Sequence, residues 1–238
     1  MGHQQSRLGP PRSVKVVEVT NVDFSLLQFV LPLMRGARAR GHDVIGVCAD
    51  GPLLAPVRAE GFRVIPVALE RSVSPLAQVR ALRQLLAVLR AERPDLVHAH
   101  MPISGFLARL AARLAGVPRI AYTCHGYLFN QPGPWPRRAA SLVLEWAGAR
   151  LTDTYLTVSA EEARDARRFG ICRRAVAVGN GRDPSRYRPD AAARGRLRAA
   201  FEVPEGRVVV AIVARLVRHK GHPELLAAMR EVPEAQLW

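Results

Sequence analysis

Lysine is almost missing from this chain. Lys15 and Lys220 are the two lysines among 35 basic residues, and all the others are arginine. Acidic residues are the minority, 20 in number, so the formal net charge is +15. Cysteine is scarce as well. Cys48, Cys124 and Cys172 stand far apart with no C-x-x-C spacing, which argues against a zinc ribbon or a disulfide framework. Aromatic residues make up 6% of the chain, and no aromatic-basic stripe or nucleic-acid motif accompanies the charge. A nucleic-acid partner is therefore not expected. Arg-rich composition together with abundant Ala, Gly and Pro matches the codon bias of a GC-rich genome. No run of about 18 apolar residues occurs, so no membrane-spanning helix is expected. Residues 1–12 are polar and rich in Pro and Gly, without the apolar core of a signal peptide. They read as a disordered tail on a cytoplasmic protein.

What is present is a regular alternation of strand and helix patterns, and 49% of residues are hydrophobic. Val14–Thr20, Asp43–Cys48, Arg63–Val67, Leu96–His100, Arg119–Cys124, Thr154–Val158 and Ala175–Val178 are short runs rich in β-branched and apolar residues. Between them lie helical spacings. Leu27, Val30, Leu31 and Met34 form one stripe, with Pro32 inside it. Leu82, Leu85, Leu86 and Leu89 form another, ended by Pro94. Phe106, Leu107, Leu110 and Leu114 form a third, expected to face inward. A helix is expected from Arg137 to Leu151. Ser159 followed by Glu162 is a capping box opening the next helix. Strands alternating with helices predict an α/β protein with a parallel sheet covered on both faces. Ligands in such sheets collect at the carboxyl ends of the strands. The boundaries read as a tail over 1–12, a Rossmann-like domain over 13–185, a polar linker over 186–206, and the start of a second Rossmann-like domain over 207–238.

Three groups of residues carry candidate chemistry. Arg215 and Lys220 lie in the loop Ala214-Arg-Leu-Val-Arg-His-Lys-Gly221, after the strand pattern Val208–Val213 and before a helix at Pro223–Met229. A helix N-terminus offers free N–H groups and partial positive charge to an anion, and Arg and Lys add full charges beside it. Taken alone, the same loop reads as a solvated basic surface. His125 and Gly126 follow a strand. Glycine lets a backbone approach a ligand, and histidine exchanges protons near neutral pH, although a lone histidine is more often structural. His98 and His100 are two apart, so both imidazoles share one strand face. With Cys124 or His125 they could form a metal cluster, but no fourth ligand is specified and none is expected.

Six stretches occur in a familiar order: Gly41-His-Asp-Val44, Pro94-Asp-Leu-Val-His-Ala-His100, Tyr122-Thr-Cys-His-Gly126, Leu156-Thr-Val-Ser159, Asn180-Gly-Arg-Asp183 and Arg215-Leu-Val-Arg-His-Lys-Gly221. Through them the chain resembles the family-4 retaining glycosyltransferases of the GT-B fold. The resemblance implies a two-domain enzyme that moves a sugar from a nucleotide-diphosphate-sugar donor to an acceptor hydroxyl, in polysaccharide or glycolipid assembly, with its site in the interdomain cleft. It implies that Arg215 and Lys220 hold the donor diphosphate. His125 would be the catalytic residue beside the donor sugar, with Gly126 next to it and Asn180 and Gly181 near the hinge. No metal cofactor is required, because the basic pair takes that role. Where the family often has Gly-Gly after the first strand, this chain has Asn21-Val-Asp-Phe-Ser25, and Ser25 becomes the substrate-binding candidate. Ala214 replaces a common Gly. The E-x7-E segment that holds donor ribose and sugar is expected beyond Trp238, so the chain reads as a fragment that is inactive alone. A non-catalytic acceptor-binding remnant and a GT-B UDP-sugar epimerase remain open alternatives. Arg80, Arg83 and Arg90 around one helix and Trp135-Pro-Arg-Arg138 ahead of another predict peripheral binding to an anionic membrane, with a lipid-linked or sugar acceptor as partner.

Overall fold

The computed structural model describes residues 12–69, 74–185 and 187–238. The expected tail lies, apart from Arg12, outside the described residues. The described chain falls into two compact units, 1–182 and 183–238.

The first unit is built on seven parallel strands: β1 (Lys15–Val19), β2 (Asp43–Cys48), β3 (Arg63–Pro66), β4 (Leu96–His100), β5 (Arg119–Cys124), β6 (Thr154–Thr157) and β7 (Val176–Ala177). Their order across the sheet is β3-β2-β1-β4-β5-β6-β7. From β1 the chain first winds outward to β2 and β3, then crosses back to β4 on the other side of β1. That reversal opens a crevice at the carboxyl ends of β1 and β4, where open α/β sheets bind ligands. Alternation along each strand divides the core. One face carries Val17, Val19, Ile45, Val47, Val97, Ala99, Ile120 and Tyr122. The other carries Val16, Val44, Cys48 and Val64 against Leu26, Val30, Met34 and Leu54. Runs buried on both faces are what a parallel sheet demands.

Helices cover the two faces. After β1 the chain makes one α-turn (α1, Asp23–Ser25), a π-helical turn over Leu26–Val30, and then α2 (Leu31–Ala39). Pro32 sits in the first turn of α2, directly after the π-helical turn. The wide turn before it, closed by Leu31 N–H onto the Leu26 carbonyl, gives the proline ring room without a break. α3 (Leu54–Ala59) completes this side. α4 (Pro75–Glu92), α5 (Pro102–Ala115), α6 (Trp135–Arg150) and α7 (Ala160–Arg168) follow. The expected capping box is present: Glu162 N–H donates to Ser159 Oγ at 3.1 Å, and Ser159 N–H donates to the Glu162 carboxylate at 3.1 Å.

The inward face of α5 differs from expectation. Leu114 is exposed, and Ala108, Arg109, Ala111 and Ala112 are buried beside Leu107. Small residues win that face because the helix lies close to the sheet. A Cβ on Gly105 would stand 2.7 Å from the Tyr122 ring and 3.0 Å from the His100 carbonyl. Leu107 stays in the core and Phe106 packs partly buried against it, while Leu114 is displaced to the surface. The close approach also buries Arg109, which donates from Nε to the Gly105 carbonyl at 3.0 Å and stacks 3.7 Å over Tyr122.

The second unit contains α8 (Ala191–Ala200), β8 (Val209–Val210), a 3-10 turn at Arg218–Lys220, α9 (His222–Met229) and β9 (Gln236–Leu237). Asp190 caps α8 by accepting from Ala193 N–H at 2.9 Å. The strand expected over Val208–Val213 is paired only at Val209 and Val210, because its one described neighbour, β9, is two residues long and parallel to it. Val208, Val213, Leu216 and Leu226 are exposed.

Candidate active site

Glu18 is the fourth residue of β1, and the parallel register sets it directly against His98 of β4. His100 is two residues further along β4, on the same face. This face, at the crevice between β1 and β4, gathers a polar cluster. Glu18 Oε2 accepts from His100 Nε2 at 2.8 Å and lies 3.1 Å from His98 Nδ1. His98 Nε2 is 2.8 Å from Thr123 Oγ1 on β5. His100 Nδ1 is 3.1 Å from Nε2 of His125, the residue immediately after β5. His100 is fully buried and Glu18 is 4% exposed, while His125 is half-buried at the rim. Phe29, from the π-helical turn, stands against the His125 ring at 5.8 Å between centroids. Arg182 in turn stands over Phe29 at 5.6 Å.

The electrostatics are consistent around this cluster. Burial by itself pushes the Glu18 carboxyl up, but the charge of His98 and the hydrogen bonds from His100 and His98 outweigh it and hold the group down at about 2. Burial pushes His100 below the usual imidazole value, with His98 adding to the effect and the Glu18 contact opposing it. Burial, with the neighbouring His100 and His98, pushes His125 down to about 4. The folded state therefore holds an ionised carboxylate beside neutral imidazoles at His100 and His125. The unfolded chain takes up protons on these two histidines below their ordinary value of 6.5 while the folded chain does not. Glu18 adds its own loss as pH falls from 4.5 toward about 2. Both effects have the same sign: the unfolded state binds more protons, so stability falls on acidification. Urea unfolding of the first unit is expected to lose on the order of 2 kcal/mol between pH 7 and pH 4.5. An unchanged midpoint across that range would contradict neutral imidazoles in the folded state.

Glu18, His98 and His100 are also the one group among the described residues whose donor atoms, within 4.8 Å of one another, approach the spacing of a metal site. The 2.8 and 3.1 Å separations between carboxylate and imidazole atoms are those of direct hydrogen bonds. Two ligands of a tetrahedral ion at about 2.0–2.1 Å stand about 3.4 Å apart. In this structure the three side chains are joined by hydrogen bonds.

The structure brings together some of the sequence-derived candidates. His125 joins the cluster, and Gly126 follows it with φ of +105°, a conformation that favours glycine. Ser25 lies in α1 and is buried. The segment around it forms a helix start in which Asp23 accepts from Leu53 N–H at 3.1 Å, tying it to the loop after β2. Asn180 and Gly181 are exposed in the segment after β7 and have no regular structure. Arg215 and Lys220 belong to the second unit, and both are exposed. Lys220 closes the 3-10 turn, Gly221 takes φ of +78°, and α9 starts directly after it. His222 Nε2 is 2.9 Å from the Arg215 carbonyl, pinning the loop back onto the first residue of α9. Cys124 is buried, and its thiol is pushed up, chiefly by burial. It belongs to the core face of β5, away from the imidazoles.

Glu18 was missed at the level of sequence. A signal for it existed. An acid in the middle of a β run expected to be buried on both faces is costly unless paired. Its partners, however, lie about 80 residues away.

The fold defined by this sheet and its switch point is the Rossmann-like α/β fold of GT-B proteins. A glycosyltransferase of Rickettsia africae superimposes with a TM-score of 0.73 at 15% identity, over 95% of this chain and 59% of that one. HepE of Anabaena, solved with UDP and glucose, gives 0.72 at 17% identity, over 94% and 60%. The UDP-GlcNAc 2-epimerase of Neisseria meningitidis shares the fold at 0.60 and 14% identity, over 94% and 64%. The chain belongs to the glycosyl transferase 4-like domain family, whose model matches residues 27–181. EpsD of Bacillus subtilis, a candidate glycosyltransferase, is 30% identical over 90% of this chain and 56% of its own length. A GDP-mannose-dependent phosphatidylinositol monomannoside mannosyltransferase of Mycobacterium tuberculosis is 31% identical over 74% and 44%. A UDP-Gal:α-D-GlcNAc-diphosphoundecaprenol α-1,3-galactosyltransferase of Escherichia coli is 33% identical over 44% and 26%. The chain thus spans between about a quarter and just over half the length of these relatives.

Proposed function

We propose that this chain is the acceptor-side part of a retaining glycosyltransferase that moves a sugar from a nucleotide-diphosphate-sugar to an acceptor hydroxyl. The observation that carries the reading is the placement of His125, on the family-matched segment, at the rim of the β1–β4 switch point and backed by buried His100. In this reading His125 lies beside the donor sugar and Gly126 lets the backbone approach it. Asn180 and Gly181 contribute at the hinge, and Ser25 shapes the segment after β1. Arg215 and Lys220 hold the donor diphosphate and stabilise the charge that grows on it as the sugar–phosphate bond breaks. Two cations at a helix N-terminus do this without a metal ion. The acceptor is a sugar or lipid-linked sugar of polysaccharide or glycolipid assembly, in line with the two relatives whose names specify lipid acceptors. Those names also specify different nucleotides, UDP and GDP.

The test is a panel of UDP- and GDP-sugars offered, with lipid-linked and free sugar acceptors, to a longer protein that joins this chain to a complete second domain. Glycosyl transfer with retained anomeric configuration supports the reading. Epimerised nucleotide-sugar with no transfer would replace it with the epimerase alternative. The 238 residues alone are expected to be inactive, because the second unit leaves Val208, Val213, Leu216 and Leu226 exposed and buries too little apolar surface to hold the phosphate loop firmly.

The same reading places the protein at the cytoplasmic face of an anionic membrane. No described helix is long and apolar enough to cross a membrane. α6 presents Trp135, Val143 and Trp146 to solvent, with Arg137 and Arg138 exposed in its first turn and its one acid, Glu145, buried. α4 exposes Leu76 and Val79 together with Arg80, Arg83 and Arg90. Apolar wedges and basic residues reinforce each other at anionic bilayers. Flotation with anionic liposomes is expected to carry the protein upward, and flotation with neutral liposomes much less. Equal recovery in the two would end the membrane assignment.

A further inference from the structure

We propose that Glu18 is a positioning residue of the site: acting through His100, it fixes the proton of His125 on Nε2 and leaves Nδ1 as a hydrogen-bond acceptor for a sugar or acceptor hydroxyl. The inference rests on the reading of His125 as the residue beside the transferred sugar.

The argument follows the protons from the buried end outward. An ionised carboxylate has no proton to give and only accepts hydrogen bonds. His100 Nε2, 2.8 Å from Glu18 Oε2, must therefore carry a proton. His100 is fully buried and neutral, so its Nδ1 has only a lone pair. That lone pair is 3.1 Å from Nε2 of His125. Two lone pairs at this distance would repel, so His125 Nε2 carries N–H and donates to His100. A neutral His125 then has its basic lone pair on Nδ1. Glu18 thus decides a protonation pattern two residues removed from itself, with no proton moving.

The surroundings support a dedicated role. Glu18 also meets His98 Nδ1 at 3.1 Å, which must likewise be a donor, so the two rings are bound through different nitrogens. His98 is braced at its other nitrogen by Thr123 Oγ1 at 2.8 Å. A carboxylate in the middle of a central parallel strand costs stability unless such contacts compensate it, and apolar residues of similar volume are commonly as good or better for the fold. The chemical consequence lies at the rim. His125 offers the ligand an acceptor, so it recognises a hydroxyl that donates and is a poor partner for a carbonyl or phosphate oxygen.

The test uses the 238-residue chain with ¹⁵N-labelled histidine and long-range ¹H–¹⁵N NMR of the rings, which separates the two neutral tautomers without any need for turnover. Signals are assigned with single His100→Gln and His125→Gln variants. At neutral pH both His100 and His125 are expected in the Nε2–H form. In Glu18→Ala, His100 and His125 are expected to lose the single tautomer and show mixed or Nδ1–H signals. Wild-type His125 in the Nδ1–H form overturns the inference, and so does a Glu18→Ala protein in which both rings remain purely Nε2–H. If Glu18→Ala does not fold, the wild-type tautomers still decide. Because the readout is independent of transfer, a failed sugar-transfer assay with the expected tautomers counts against the glycosyltransferase reading and leaves the Glu18–His100–His125 relay standing.

Discussion

Replacing Glu145 with alanine is expected to destabilise the first unit by about 3–5 kcal/mol, the scale for removing one partner of a buried ion pair. Glu145 and Arg109 lie 3.8 Å apart with side chains 2% and 0% exposed. Burial pushes the Glu145 carboxyl above its usual range, and Arg109 and the hydroxyls of Tyr122 and Tyr155 oppose that. The two tyrosines donate to it at 3.0 and 3.1 Å. Without Glu145, the Arg109 guanidinium keeps, among the described residues, the Gly105 carbonyl, a 3.4 Å contact with Thr152 Oγ1 and the Tyr122 ring. Arg109 cannot shed its proton, and it cannot swing out. α6 passes so close at Gly148 that a Cβ there would stand 2.5 Å from the guanidinium. The buried Tyr122 and Tyr155 hydroxyls would also lose the carboxylate, a further cost that Tyr155 offsets in part through the Tyr127 hydroxyl at 3.3 Å. A double change, Arg109→Met with Glu145→Leu, is expected to recover part of the loss, because it removes the charge as well as its partner. It should not recover all of it, since Tyr122 still lacks its carboxylate acceptor and Tyr155 keeps just the Tyr127 hydroxyl at 3.3 Å. Urea unfolding at neutral pH measures this. A loss below about 1 kcal/mol for Glu145→Ala would mean that water or a neighbour compensates Arg109.

Lys220→Ala, or Arg215→Ala, in a longer protein with a complete second domain is expected to lower kcat by about 10²–10³-fold, by analogy with loss of one oxyanion donor. The residues flank a loop that ends in the 3-10 turn Arg218–Lys220 and enters α9 through Gly221. The N–H groups of that first turn point where an anion would sit. In the proposed reaction the diphosphate gains charge only as the sugar leaves, so these contacts strengthen toward the transition state. Most of the effect should therefore fall on kcat, with KM for the donor changing less. Lys220→Arg should recover part of the activity, since charge survives and only its shape changes. Steady-state kinetics against donor concentration reads the split. A rise in KM with unchanged kcat would assign the pair to ground-state binding only, and unchanged kinetics would remove the loop from the site.

The strands of the first unit were legible in the sequence because each is a short run of apolar and β-branched residues ended by a turn signal. Asp43–Cys48, Leu96–His100 and Arg119–Cys124 match the expected limits at both ends. The Ser159–Glu162 box was equally legible, since a cap is a local hydrogen-bond pattern four residues long. The loop-to-helix junction at Arg215–Gly221 was legible for the same reason, since a helix start is also a local pattern. Tertiary structure decided what depends on distance between elements. Helical spacing gave α5 a leucine stripe, but the close approach at Gly105 buried the alanines and Arg109 and turned Leu114 outward. Nothing in the local pattern of α6 sets Glu145 apart; the fold alone places it between Arg109 and two tyrosines. Local sequence determined periodicity, caps and turns, which act over a few residues. The site cluster arises instead from sheet order: β1 lies beside β4, and that pairing sets Glu18 against His98 across 80 residues of chain. No residue-by-residue pattern carries that register, because the energy that selects it comes from packing the whole sheet between its helices.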